Sequence, residues 1–175
     1  RAIRHSSFFN LLAQETQDGT AAWYRNTTMR AGKDIEDIIF PRPDVAPRPP
    51  DYTSKHFRTI DWWVMRNDFT SIDKVVLAGK AGLNDDPHHG HLDIGHFILH
   101  WQGQSFIKDA GKPYYDEKFF DELRWEYPQA NSDGHNVVFV NGEGQIPGKR
   151  RGQAFDYSIG GKVLKFETTE KQDYV

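Results

Sequence analysis

The tract PRPDVAPRPP, residues 41 to 50, constrains the fold more than any other stretch. Its prolines at 41, 43, 47, 49 and 50 each fix φ near about −65° and remove a backbone donor. No helix runs through such a tract, and an extended, stiff connection is favoured. The hydrophobic period changes across it. Before it, HSSFFNLLAQET sets Phe8, Leu11 and Leu12 at helical spacing behind Ser6 and Ser7 as caps, and AAWYRNTTMRAGKDIEDIIF continues helically with a less regular stripe. After it, from His56, the stretches HFRTIDWWVMRND, DKVVLAGKAG, HLDIGHFILHW, SFIKDAG, HNVVFVNG, AFDYSI and KVLKFET read as strands. Turn signals at Gln102-Gly103, Asn141-Gly142 and Gly160-Gly161 divide them, and one helical insert, DEKFFDELRWEY, interrupts the series. The expectation is a mainly-β chain, an antiparallel β-sandwich preceded by a short α-helical segment. Helices occupy 1–43, a proline-rich linker 44–55 and the sandwich 56–175, with fewer strands than a complete sandwich needs.

Composition removes several function classes. Cysteine is absent, which excludes a disulfide framework, a thiolate metal site and a cysteine nucleophile. The net charge of −3 provides no field to gather nucleic acid, and no apolar run is long enough to span a membrane. Aromatic residues make up 14% of the chain, a surplus that suits a sandwich core before it suits a sugar-stacking surface. The chain opens at RAIRHSSFF with neither methionine nor a signal-peptide pattern, and so reads as an internal piece of a longer protein.

The chemistry concentrates in HHGHLDIGHF, residues 88 to 97. Read as a strand, it puts His89, His91 and Asp93 on one face and Leu92 and Ile94 on the other. An H-x-H pair alone is most often solvated surface. Two later stretches change the balance. Asp109 ends SFIKDAG, which a hairpin at Gln102-Gly103 returns to the histidine strand, and His135 opens HNVVFVNG. A carboxylate and a further imidazole at strand ends complete a His, Asp and His set, which suits zinc at about 2.0–2.2 Å. Two imidazoles disfavour calcium. The plain structural role for Asp109 is an Asx-type turn before Ala110-Gly111. A cupin-type metal oxidoreductase also uses H-x-H on a strand, but the glutamate such a site needs is missing before Glu117.

The order of three motifs, H-G-H-L-D-I-G-H-F, then D-A-G, then H-N-V-V-F-V-N-G-E-G-Q, resembles the heparinase II/III-like polysaccharide lyases, which include heparinases and oligoalginate lyases. The resemblance implies a helical α/α toroid, whose end is residues 1–43, followed by a large antiparallel sandwich, with the active cleft between. It implies a catalytic role for His89 at the cleft and one zinc, structural in character, on His91, Asp109 and His135. It implies an acidic polysaccharide or oligosaccharide substrate, cleaved by β-elimination beside a uronate. A base takes the C5 proton, the carboxylate charge is offset, and an acid protonates the leaving oxygen. The family's catalytic tyrosine belongs to the toroid, and Tyr24 carries no mark of that role. The resemblance further implies the rest of the toroid as a partner and a bacterial periplasmic or secreted location. Arg66, Tyr114 and Tyr115 are candidates for substrate contact, and the basic loop GKRRG at 148–152 is a weaker one. Asn136 and Gln145 match the motif as supporting positions. The rival to a lyase is a non-catalytic carbohydrate-binding sandwich, which has no use for His89.

Overall fold

The computed structural model describes residues 6–28, 35–71, 73–84, 90–148, 154 and 156–175. Two compact units divide between Tyr52 and Thr53.

In the first unit, α1 (Ser6–Thr16) and α2 (Gly19–Thr28) pack on each other through Ala13, Ala21 and Ala22, with Phe9, Leu12 and Val45 around them. The buried stripe of α1 is Ser7, Asn10 and Ala13, and Phe8 faces solvent, so the expected stripe through Phe8 is turned by a residue. Small side chains let the helices approach closely, which is why alanine and not phenylalanine fills the seam. The helix ends at Gln17, whose φ of 54° is left-handed. Asp18 then caps α2, its carboxylate accepting the Thr20 N–H at 2.7 Å. A third helix, α3, spans Ile35–Ile39. The proline tract lies along the helices: Arg48 donates its N–H to the Gly19 carbonyl at 2.9 Å, and a Cβ at Gly19 would stand 2.8 Å from the Ala46 oxygen.

The second unit is built on a five-stranded antiparallel sheet of β1 (Lys55–Phe57), β2 (Trp62–Arg66), β3 (Val75–Lys80), β5 (Phe97–Trp101) and β6 (Gln104–Ile107), side by side in that order. Two short pairs complete the β structure, β4 (Gly82–Leu83) with β7 (Gly160–Gly161) and β8 (Glu167–Thr168) with β9 (Asp173–Tyr174). The expected mainly-β, antiparallel fold is therefore the one adopted. β5 and β6 join through Gln102 and Gly103 at φ 48° and 72°, the two left-handed residues of a tight hairpin turn. Asn141 and Gly142, at φ 54° and 79°, make the same turn and close the Val140–Glu143 bridge. On β2, Trp63 lies over its cross-strand partner Gly79, where a Cβ would meet the indole at 2.5 Å, while Trp62 is half exposed.

Several stretches read as strands are not strands. The histidine stretch becomes regular only at Phe97. From His91 to His96 its backbone groups form no regular ladder and bond instead to Ala130, to Lys80 at the end of β3 and within the segment itself. Leu92 donates to the Ala130 carbonyl at 2.9 Å, Gly95 to the Lys80 carbonyl at 2.8 Å and His96 to the Asp93 carbonyl at 3.0 Å. Gly95, at φ 82°, turns the chain into β5. HNVVFVNG forms only an isolated bridge at Val140, and the Gly160-Gly161 signal is strand β7 instead of a turn. The helical insert resolves into short 3₁₀ helices at Glu117–Phe120 and Glu122–Glu126. There Phe119 is the single large side chain fully buried among the described residues.

Candidate metal centre

Three loops converge on His135. The first is the irregular histidine segment, which brings His91, Asp93 and His96. The second follows β6 and brings Asp109. The third follows a 3₁₀ helix at Ser132–Gly134, which Asn131 caps by accepting the Asp133 N–H at 2.8 Å. Gly134 is required there, because a Cβ would fall 2.2 Å from the Pro128 oxygen. His135 closes the turn through its N–H to the Ser132 carbonyl at 3.2 Å.

The His135 side chain has no exposed surface. Its Nδ1 stands 2.8 Å from Asp109 Oδ2, and His96 Nε2 stands 3.2 Å from the same oxygen. The other carboxylate oxygen of Asp109 accepts the Gly111 N–H at 2.6 Å. Asp109 thus makes the Asx-type turn and faces the histidines at once, one oxygen for each. His96 Nδ1 accepts the Asn136 N–H at 3.0 Å, so Nδ1 is the unprotonated nitrogen and Nε2 is the one turned to Asp109. The His91 and His96 rings lie 5.2 Å and 5.3 Å from that of His135.

Two triads of ligand atoms, each mutually within 4.8 Å, share His135: His91 with Asp93, and His96 with Asp109. The residues fit a cation. The His96 Nε2–H donates to Asp109 at 3.2 Å and so holds the carboxylate in place beside His135. His135 Nε2 is buried without a hydrogen-bond partner, an arrangement that costs about 1–3 kcal/mol unless some group occupies it. Burial pushes the His91 imidazole below its ordinary value, with the His135 and Arg124 charges acting the same way against Asp93 and Asp109. Burial likewise lowers His96, against the pull of Asp109. Both rings are then neutral at neutral pH, the form that binds metals. Asp93 is already paired with Lys80 Nζ at 2.6 Å, so Asp109 is the carboxylate with charge to give.

Of the residues expected from sequence, His91, Asp109 and His135 all reach this hub, His91 and Asp109 through different triads. His89 lies outside the described residues, as do residues 149–152 of the basic loop. Arg66 stands at the far end of β2 from Trp62, with its guanidinium 4.5 Å over the Phe69 ring. Tyr114 is almost fully exposed, and Tyr115 packs on Phe119 at 4.7 Å with Lys112 Nζ 4.3 Å from its ring centre. Neither is brought to the hub. His96 was not assigned from sequence, because an unbroken strand puts it in opposite phase to His91, and the left-handed Gly95 cancels that phase. The Gly95 within the run was the available signal.

The supporting positions acquire roles. Gln145 accepts the Ile94 N–H at 2.9 Å and donates to the Ile94 carbonyl at 2.7 Å, while its oxygen also takes Asn84 Nδ2 at 3.0 Å. Its own N–H reaches Ser132 Oγ at 2.9 Å, and that hydroxyl donates to the Leu92 carbonyl at 2.8 Å. Asn136 Nδ2 holds the Phe97 and Lys108 carbonyls. The ligand loops are thereby tied to one another by side chains.

No curated protein gives a match. A solved structure of heparinase III superposes with a TM-score of 0.60 at 19% identity, covering 92% of this chain and 22% of that one. The chain thus spans about a fifth of that protein's length. The family model described as heparinase II/III-like, C-terminal, matches residues 49–175. On that match, over the whole of the sheet unit and the hub it carries, the chain belongs to the heparinase II/III-like C-terminal family.

Proposed function

We propose that this chain is the metal-bearing sandwich part of a polysaccharide lyase that cleaves a uronate-containing glycan by β-elimination. The observation that carries the reading is the buried hub of three histidines and Asp109 in a chain of this family. Zinc would be held by His91, Asp109 and His135, with the Nε2–H of His96 orienting the Asp109 carboxylate. A cation there would supply a partner for the buried His135 Nε2, while Asp109 holds Nδ1 of the same ring, which is a structural task. The chain's own residues do the positioning. The hub fixes His91, and His89, two residues before it in the sequence, is the imidazole that serves proton transfer or offsets the uronate charge. The catalytic tyrosine belongs to the toroid, of which residues 1–43 are the end, so full activity belongs to the longer protein. A periplasmic or secreted bacterial location and an acidic polysaccharide substrate complete the proposal.

Two measurements test it. Elemental analysis of chain purified without chelator is expected to give about one zinc, lost in His91→Ala and His135→Ala. The longer protein is expected to release unsaturated uronate, read by ultraviolet absorbance, and His89→Ala to lower that rate by about 10²-fold or more. Absence of zinc from the wild type sinks the metal part. Wild-type turnover in His89→Ala sinks the catalytic part.

A further inference from the structure

Arg124 does something the metal reading leaves unused. It sits in the 3₁₀ helix Glu122–Glu126 and is 5% exposed, rare for arginine unless its charge is engaged. Its guanidinium lies 4.7 Å from the Trp125 ring and 5.4 Å from the Phe119 ring. Phe119 is itself immobilised, with the Tyr115 ring at 4.7 Å and the Tyr127 ring at 5.6 Å. A planar cation so walled keeps its direction, as a flexible ammonium does not. One terminal nitrogen points at the Gly90 carbonyl oxygen and donates to it at 2.5 Å, across 34 residues of chain. Gly90 joins His89 to His91. Beyond it the segment is held by Ala130, Ser132 and Gln145, so Arg124 supplies the anchor at its head.

We propose that Arg124 is the positioning residue of the histidine segment, fixing the Gly90 peptide so that His91 stays against His135. Its effect on metal affinity rests on the reading of the hub as a metal centre; its effect on the segment's order does not. The 3₁₀ region is thus a brace for the hub and not a surface insert, with the aromatic cluster as its foundation.

The test uses the chain with Arg124→Met, which keeps the apolar stem, and Arg124→Lys, which keeps the charge but not the fork. Zinc chloride is titrated against a chromophoric chelator, and hydrogen exchange is followed by mass spectrometry in peptides covering 90–96. Arg124→Met is expected to weaken zinc about tenfold or more, the usual size for a residue that orients a ligand. Exchange over 90–96 should quicken at least tenfold while β2 and β3 are unchanged, and Arg124→Lys should recover part of both. Wild-type exchange over 90–96 in Arg124→Met overturns the proposal. If Arg124→Met does not fold, Arg124→Lys decides, with intermediate exchange supporting the proposal and wild-type exchange overturning it. Failure of the wild type to bind zinc removes the metal reading alone, and the exchange result still decides the role of Arg124.

Discussion

At Asp116 the carboxylate is held by three donors, and the consequence is a measurable acid limb. Tyr127 donates its hydroxyl to both oxygens at 2.7 and 2.8 Å, and the Lys118 and Phe119 N–H groups reach one of them. The Tyr127 hydrogen bond, ahead of the two backbone ones, holds this carboxyl below its ordinary value. A depressed carboxyl contributes stability above its unfolded pKa, near about 3.9, and loses it as pH falls through the folded one. Tyr127→Phe is therefore expected to be less stable than wild type at pH 6, by a margin that narrows as pH falls towards 2, by urea unfolding at each pH. A constant difference across that range contradicts the assignment. At the hub, His96→Ala is expected to weaken zinc at least tenfold by chelator competition. Wild-type affinity in that variant leaves His91 as the partner of Asp109 and His135.

Elements explain why single residues matter so much here. The ligand loops have little strand pairing of their own, so side chains close their hydrogen bonds. Gln145→Ala strands the Ile94 N–H and carbonyl, a loss of about 3 kcal/mol in urea unfolding if both stay unpaired, while Asn84 Nδ2 keeps the Ile146 carbonyl. Gly134→Ala drives a methyl into the Pro128 carbonyl and is expected to cost at least about 2 kcal/mol and to release zinc. These same loops mark the limit of what sequence shows. Gln102-Gly103 and Asn141-Gly142 were legible because a two-residue turn needs left-handed φ at both positions, a local demand. Trp62–Arg66 and Val75–Lys80 were legible as strands from their apolar, β-branched and aromatic content. The conformation of 91–96 was not legible, because its partners are Lys80, Ala130 and Gln145, far along the chain. His96 was lost with it. His91, Asp109 and His135 are gathered at one hub by loops, although the sequence reads them as strand positions.

For the molecule as a whole, the hub lies wholly within Thr53–Val175. A cation that binds it only when folded stabilises that unit by mass action, about 2.7 kcal/mol at a hundred times its dissociation constant. Zinc is expected to slow hydrogen exchange through β2, β3 and β5 and to leave α1 and α2 as they were. Equal protection of the helices contradicts a hub confined to one unit. The complete enclosure of the His135 side chain has a further result, for time and not for affinity. An ion on the enclosed ring would be shielded from a chelator on that side, and its release is expected to follow the parting of the loops. Release is then gated by the protein's own opening, and its rate is expected to level off as chelator concentration rises. A rate that keeps climbing with chelator signals an ion reachable from outside. A levelled rate makes the chain a slow clock, loading its metal once, as it folds, and keeping it for as long as the three loops remain closed.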